Sequence, residues 1–314
     1  MAIVWLVLGF VLLAGGAEIM VRGAVSLSEH LRIPPLVIGL TVVAFGTSAP
    51  EAAVGIRASL EGANEILLGN VIGSNILNVL LVLGLCALVA PLKVRLQTVV
   101  KETPFVLLAT VVLLVMAWDR RLGTGPDMLS RGDALVLLAF FAVYLYATLE
   151  VMFLAREEDK ARMAPEMGLP LSLVMLAGGL AAVVGGSVLA VSGARTLALA
   201  LGMSEIWVGM TVVALGTSLP EIVTSVAAVR QGQTDLAVGN VVGSNAFNIL
   251  FILGVSGLIR PVVLTPVVLL DLWVAIGSLV LLMVFMWTGR IISRREGSGM
   301  LGLYVLYVIW MTVR

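Results

Sequence analysis

Cysteine, histidine and charge are all scarce in this sequence. One cysteine, Cys86, and one histidine, His30, occur in 314 residues. A lone cysteine forms no internal disulfide, and a lone histidine, which we expect in a short loop, excludes a His-based metal site or a His-containing catalytic triad. Charged residues make up 12% of the chain, about half the share of a soluble domain. The 19 basic and 19 acidic residues cancel, which gives no support for a nucleic-acid partner.

Apolar residues fill the space that charge leaves. They make up 60% of the chain, and the mean hydropathy is +1.12, which indicates a polytopic membrane protein. The apolar N-terminus lacks the positive start of a signal peptide, so we expect a retained first span. A membrane span needs about 20 apolar residues. The predicted spans are 2–28, 34–59, 66–90, 103–118, 133–155, 168–194, 206–228, 236–258, 267–288 and 299–313.

The loops between these spans carry unequal numbers of basic residues. One set holds 11, namely Arg32, Lys93, Arg95, Lys101, Arg156, Lys160, Arg162, Arg230, Arg290, Arg294 and Arg295. The opposite set holds seven, namely Arg57, Arg120, Arg121, Arg131, Arg195, Arg260 and Arg314. Because cytoplasmic loops are richer in Lys and Arg, we expect both termini outside the cytoplasm, in a multi-pass protein of the cytoplasmic (inner) membrane.

Two long stretches of the chain resemble each other. GLTVVAFGTSAPE at 39–51 returns as GMTVVALGTSLPE at 209–221, and GNVIGSNILN at 69–78 returns as GNVVGSNAFN at 239–248. Aligned without gaps, 39–84 and 209–254 share 22 of 46 positions. Apolar helices resemble one another by composition, but they do not share Gly, Thr, Ser, Pro, Glu and Asn in register. The chain therefore contains an internal repeat.

The two copies are predicted to cross the membrane in opposite directions. Five spans, an odd number, separate each copy from its counterpart. Inverted repeats with interrupted helices are typical of secondary transporters, with the binding site near the bilayer midplane. We thus predict an all-α polytopic membrane protein with ten transmembrane helices in two inverted five-helix repeats, 1–154 and 169–314. The polar stretch 155–168 is predicted to be a cytoplasmic linker.

The first repeated motif combines a helix breaker with an acid. Pro50 lacks an N–H and clashes with the carbonyl of Gly46, so backbone carbonyls near 44–47 are freed. Thr47, Ser48 and Glu51 share one helix face. Pro220, Gly216, Thr217, Ser218 and Glu221 repeat this set in the second motif. Intramembrane acids are functional by default, which makes Glu51 and Glu221 the leading candidates for ion binding.

The second repeated motif adds oxygen and close packing. Ser74 and Asn78 are four residues apart, as are Ser244 and Asn248. Glycines at 69, 73, 239 and 243 permit close helix approach. Asn70, Asn75, Asn240 and Asn245 can face inward. Asn70 and Asn240 can equally cap a kinked segment, and Asn75 and Asn245 are expected to be structural rather than ligating. The serines and threonines can instead bond back to their own helix, and Asn78 and Asn248 can form interhelical hydrogen bonds.

This ligand inventory consists of oxygen alone, which suits a hard cation. Calcium takes six to eight oxygen ligands, and two carboxylates neutralise one divalent ion or two sodium ions. A third sodium would leave the loaded site positive and make exchange electrogenic. The lack of inward thiolates or imidazoles argues against zinc or copper.

The paired motifs GTSAPE with GNVIGSNILN and GTSLPE with GNVVGSNAFN resemble the alpha-repeats of the calcium/cation antiporter superfamily, specifically its prokaryotic sodium/calcium exchangers. The resemblance implies exchange of external sodium for internal calcium, typically three for one, with the first and sixth spans sliding against the other eight. It makes Glu51 and Glu221 shared ligands of both ions. The other implied ligands are the oxygens of Thr47, Ser48, Ser74, Thr217, Ser218 and Ser244, the central Asn78 and Asn248, and the backbone carbonyls of Ala44 and Ala214.

Asn248 departs from some relatives, which carry an aspartate there. The departure removes a possible third carboxylate, disfavours a potassium-dependent variant and leaves the occupancy of a central site open. A calcium/proton antiporter on the same fold is the main alternative, since buried glutamates also bind protons. A calcium channel or an intramembrane hydrolase fits less well. We expect calcium and sodium ions and the bilayer as partners, no cofactor, no enzymatic activity, and function as a monomer.

Overall fold

The computed structural model of the chain is nearly all helical. It describes residues 1–122, 125–158, 165, 167–203 and 214–313, with the backbone alone at 151–158 and 214. The helices are α1 Ala2–Leu31, α2 Pro35–Thr47, α3 Ala49–Glu61, α4 Asn64–Val89, α5 Thr98–Met116, α6 Asp119–Leu122, α7 Arg131–Glu158, α8 Leu169–Ala200, α9 Ala214–Thr217, α10 Leu219–Arg230, α11 Thr234–Ile259, α12 Pro266–Trp287 and α13 Arg294–Val313.

Eight of the described helices are long and apolar enough to span a membrane, and the number is nine if the bent pair α2–α3 is counted as one span. The predicted span 206–228 has its first part in 204–213, outside the described residues. Helix α7 runs to Glu158, into the predicted linker 155–168, because Arg and Glu favour helix. Most of the rest of that linker, 159–164 and 166, also lies outside the described residues.

The first and eighth helices, α1 and α8, pack backbone to backbone along a seam of small residues. A Cβ atom added at Gly179 would lie 2.7 Å from the carbonyl oxygen of Gly16, and one added at Gly186 would lie 2.8 Å from that of Gly9. The seam residues recur every seven positions, which keeps them on one face of an antiparallel pair. They are Gly9, Gly16 and Gly23 on α1, and Ser172, Gly179, Gly186 and Gly193 on α8.

Proline breaks the helix at the predicted place in both motifs. Helices α2 and α3 meet at Ser48 (φ −82°, ψ 7°) with a bend of 49°. Helices α9 and α10 meet at Ser218 (φ −91°, ψ 6°). Pro50 and Pro220 occupy the first turn of the following helix, where a missing N–H costs nothing.

Helices α4 and α11 form the centre of the molecule. Each is buried over 78% of its most apolar 18 residues. Both widen into a π-helical turn, at Asn78–Val82 in α4 and at Phe247–Ile252 in α11. Such turns often occur at functional sites. On α11, Gly243 lies against the backbone of α2, where an added Cβ would meet the carbonyl oxygen of Leu40 at 2.6 Å.

Two short antiparallel ladders join distant loops. Strand β1 (Leu92–Lys93) pairs with β4 (Ile291–Ile292), and β2 (Met128–Leu129) pairs with β3 (Val262–Val263). Each ladder is followed by a capped helix. Ser130 and Asp133 cap α7 by reciprocal side-chain bonds of 2.8 and 3.2 Å.

The same arrangement recurs at the start of α13. Ser293 and Glu296 make the equivalent reciprocal bonds at 2.7 and 3.3 Å. These capping boxes satisfy the free backbone donors of each helix start. The ladders and caps thus fix the loops around the central helices.

Candidate cation-binding site

The two helix breaks place both glutamates deep in the protein. Glu51 lies in the first turn of α3 and Glu221 in the first turn of α10, and each is 1% exposed. The positive end of a helix dipole favours a negative charge at this position. The sequence Ser48–Glu51 fits a capping box, but neither Ser48 nor Ser218 makes a side-chain cap bond. Their hydroxyl groups are therefore free for other partners.

Each serine instead bonds to the glutamate of the other motif. Ser48 Oγ donates to Glu221 Oε1 at 2.9 Å, and Ser218 Oγ donates to Glu51 Oε1 at 3.0 Å. The hydroxyl of Ser74 lies 3.0 Å from that of Ser218, and Ser244 Oγ lies 3.5 Å from Glu221 Oε1. The two motifs therefore interlock, and all six of these side chains are buried.

The threonines are held by asparagines in the same crosswise manner. Thr47 Oγ1 donates to Asn240 Oδ1 at 3.1 Å, and Thr217 Oγ1 donates to Asn70 Oδ1 at 3.4 Å. Asn70 Nδ2 donates to the Glu51 carbonyl oxygen at 3.1 Å. Asn70 and Asn240 thus support the broken helices, one of the roles left open by the sequence.

Four asparagines of α4 and α11 form a reciprocal set. Asn75 Nδ2 donates to the backbone carbonyl of Asn245 at 3.2 Å, and Asn245 Nδ2 donates to that of Asn75 at 3.3 Å. Asn78 Nδ2 donates to Asn245 Oδ1, and Asn248 Nδ2 donates to Asn75 Oδ1, both at 3.0 Å. The interhelical bonds predicted as one possibility for Asn78 and Asn248 are present.

One oxygen of each central side chain is left over. Glu51 Oε2, Glu221 Oε2, Asn78 Oδ1 and Asn248 Oδ1 are buried and accept no hydrogen bond. A buried polar atom without a partner costs about 1–3 kcal/mol, and a charged one costs more. The ion pairs among the described residues, Arg57–Glu61 and Arg95–Asp235, lie elsewhere. These four oxygens are therefore suited to a positively charged ligand.

Nearly all of the predicted ligand side chains take part in hydrogen bonds within or between the two motifs. They are Thr47, Ser48, Glu51, Ser74, Thr217, Ser218, Glu221 and Ser244, with Asn78 and Asn248 in the asparagine set. The Ala44 carbonyl accepts the Ser48 N–H at 3.0 Å and lies 3.4 Å from the Thr47 hydroxyl. Ala214 is the first residue of α9, and the structure describes its backbone alone.

Ser187 of α8 is a site residue that the motifs did not indicate. Its Oγ donates to the Gly216 carbonyl at 2.8 Å. Pro220 has no N–H to offer that carbonyl, so Ser187 replaces the lost helical bond. The matching position of the first half is Ala17, and therefore the repeat carried no signal for this residue.

Comparisons with known proteins agree over almost the whole chain. The family model described as sodium/calcium exchanger protein matches residues 1–149 and 171–313. The sodium/calcium exchanger MaX1 of Methanosarcina acetivorans is 33% identical over an alignment 337 residues long, gaps included, which covers 97% of this chain and 96% of MaX1. The inner membrane protein YrbG of Escherichia coli K12 is 37% identical over 272 residues, which cover 83% of this chain and 81% of YrbG.

A solved structure shares both the fold and the sequence. The sodium-calcium exchanger NCX_Mj, soaked with 10 mM Na⁺ and 10 mM Sr²⁺, has a TM-score of 0.86 and 34% identity, covering 98% of this chain and 97% of that chain. The predicted resemblance is confirmed. The chain is a multi-pass membrane protein that belongs to the sodium/calcium exchanger family, a family of antiporters.

Proposed function

We propose that this protein is a secondary active antiporter that exchanges sodium for calcium across the cytoplasmic membrane by alternating access. The ions bind near the midplane between Glu51 and Glu221. The observation that carries this proposal is the pair of buried carboxylates, each held at one oxygen by a serine of the other motif and unpartnered at its second oxygen. The names of MaX1 and NCX_Mj support sodium and calcium as the exchanged ions.

The proposed ligands are all oxygens. The two glutamates supply the charge, and hydroxyls, amides and carbonyls complete the six to eight oxygens that calcium prefers. The remaining ligands are Thr47, Ser48, Ser74, Asn78, Thr217, Ser218, Ser244 and Asn248, with the backbone carbonyls of Ala44 and Ala214.

Charge balance connects this site to transport. Two carboxylates neutralise one calcium ion or two sodium ions, and a low-dielectric site strongly disfavours uncompensated charge. If three sodium ions bind, the loaded site carries one positive charge, and exchange of three sodium ions for one calcium ion moves net charge.

We further propose ten transmembrane helices in two inverted five-helix repeats, 1–154 and 169–314, joined by a cytoplasmic linker at 155–168. Matching contacts between the ends of the repeated stretches and other helices support the symmetry. An added Cβ at Gly84 would approach Leu301 and the Gly297 carbonyl, and one at Gly254 would approach Leu138 and the Ala134 carbonyl. The two ladders and the two capping boxes are related in the same way.

The proposed orientation places both termini outside the cytoplasm, as the loop charges favour, in the inner membrane of the cell, with the monomer as the working unit. Alternating access requires one part of the protein to move relative to another. The pair α1 and α8 is suited to move as a unit, because its glycine seam brings the two backbones into direct contact.

A calcium/proton antiporter on the same fold is the second candidate, because buried carboxylates can carry protons. Calcium-45 uptake into proteoliposomes separates the two functions. Sodium-loaded vesicles diluted into sodium-free buffer at clamped pH should accumulate calcium, and an imposed pH gradient without sodium should not drive uptake. Uptake that follows the pH gradient and ignores sodium would replace sodium by the proton as the coupling ion.

A further inference from the structure

We propose that Asn75 and Asn245 are positioning residues that fix the orientation of the amide groups of Asn78 and Asn248, so that an oxygen rather than an NH2 group faces the bound ion. This inference rests on the proposed function, because it concerns how that site is built.

The orientation of each amide follows from a backbone carbonyl. Asn75 faces the main-chain oxygen of Asn245 at 3.2 Å. A carbonyl oxygen only accepts hydrogen bonds, so Asn75 must present its NH2 group there and its Oδ1 on the other side. That Oδ1 lies 3.0 Å from Asn248, which must therefore donate through Nδ2. The Oδ1 of Asn248 is then left for a ligand.

The same sequence of bonds runs in the opposite direction. Asn245 donates to the Asn75 carbonyl at 3.3 Å, and its Oδ1 accepts from Asn78 Nδ2 at 3.0 Å. Asn78 Oδ1 remains, buried and without a hydrogen-bond partner, as does Asn248 Oδ1. Each half of the protein thus orients the ligand amide of the other half.

A reversed amide would lose its hydrogen bond and also its contact with the cation. Rotating the Asn248 amide would place its oxygen against Asn75 Oδ1, so that two acceptors face each other, and would turn its NH2 group toward the cation. All four asparagines are at most 2% exposed, so water does not compensate for such a mismatch. The orienting bonds therefore maintain two neutral oxygen ligands that need no bound proton.

The test measures calcium affinity separately from turnover. In proteoliposomes, Asn75→Leu and Asn245→Leu remove the orienting groups at similar volume. We expect the half-saturating calcium concentration to rise about 10–100-fold, the usual effect of losing a group that orients a metal ligand, while the maximal rate at saturating calcium stays within about twofold. Unchanged half-saturation in both variants would overturn the proposal.

Asn75→Asp provides a conservative rescue. A protonated carboxyl can donate to the Asn245 carbonyl and accept from Asn248, and therefore reproduces both bonds. We expect this variant to recover most of the calcium affinity that Asn75→Leu loses. Half-saturation as weak as that of Asn75→Leu would contradict the orienting role.

Ser59→Ala is the matched control. It removes a buried interhelical bond of 2.7 Å to the Ser256 carbonyl, away from the site, and we expect lower thermal stability with unchanged half-saturation. If the leucine variants reconstitute poorly, calcium-45 binding to the monodisperse purified fraction gives the same comparison. If the wild type exchanges calcium and the leucine variants keep normal calcium affinity, the positioning role is refuted and the proposed function stands. Wild-type protein that moves no calcium would overturn the proposed function as well.

Discussion

The seam between α1 and α8 allows a sharp comparison of two adjacent glycines. Gly186→Ala places a Cβ 2.8 Å from both the Gly9 carbonyl oxygen and the Leu13 nitrogen, which are backbone atoms that cannot rotate away. Gly185→Ala places the same methyl group where no atom lies within 4 Å. Both substitutions gain about 1 kcal/mol of helix propensity. The difference between the two variants therefore isolates the close approach of the helices.

The magnitude follows from the contact distances. Because ordinary Cβ contacts begin at 3.4 Å, Gly186→Ala must separate the helices by more than half an ångström. A gap of about 0.5–1 Å forfeits a quarter to a half of the dispersion energy of the contacts it affects, and overpacking typically costs about 1–3 kcal/mol. We expect Gly186→Ala to be about 1–3 kcal/mol less stable than Gly185→Ala.

Thermal unfolding of the purified variants in detergent measures this difference, with calcium-45 uptake as a second readout. We expect Gly185→Ala to equal or exceed the wild type in unfolding temperature and to transport normally. Gly186→Ala should unfold at a lower temperature and transport more slowly. Equal unfolding temperatures for the two variants would refute the backbone-contact explanation of the seam.

Three further predictions concern polar contacts. Ser218→Ala removes the donor to Glu51 Oε1. Since a hydrogen bond to a charged group contributes about 1.5–3 kcal/mol, the affinity for calcium-45 should fall by about 10–100-fold. Normal calcium affinity would contradict the crosswise bonding. Asn248→Asp places a carboxyl against the acceptor Asn75 Oδ1, to which it can donate a hydrogen bond only when protonated. The half-saturating calcium concentration of this variant should therefore depend on pH more steeply than that of the wild type. Parallel pH profiles would contradict this prediction. Arg95→Gln removes an ion pair with Asp235, and the two side chains are 40% and 25% exposed. The free energy of unfolding should therefore fall by at most about 1 kcal/mol, and the difference should shrink in high salt. A large, salt-independent loss of stability would contradict this prediction.

The helix breaks and the glutamates beside them could be predicted from the sequence, because the effects of proline and glycine on a helix are local. Pro50 and Pro220 lack an N–H whatever surrounds them, and the breaks appear at Ser48 and Ser218, as the motifs indicate. Duplication of the motif identified the glutamates. Apolar length located the described membrane helices to within a few residues, except that α8 ends at Ala200 rather than 194, and α5 and α13 begin at Thr98 and Arg294 rather than at 103 and 299.

The partners of the motif residues could not be predicted from the sequence. Ser48–Glu51 and Ser293–Glu296 both match a capping box, yet only Ser293 caps its own helix, whereas Ser48 bonds to Glu221 across the interface of the two motifs. The choice depends on which side chain tertiary packing brings near. Ser187 was missed for the same reason, since its role depends on α8 lying against α9.

The most direct test of the account is calcium-45 uptake by sodium-loaded proteoliposomes that carry Glu51→Gln, Glu221→Gln or Glu61→Gln. Glu61 is the matched control, because its side chain is 57% exposed and pairs with Arg57 on the surface. We predict that sodium-driven uptake is lost in the first two variants and retained in the third. Sodium-driven uptake that persists in Glu51→Gln and Glu221→Gln would contradict a cation site built on the two buried carboxylates.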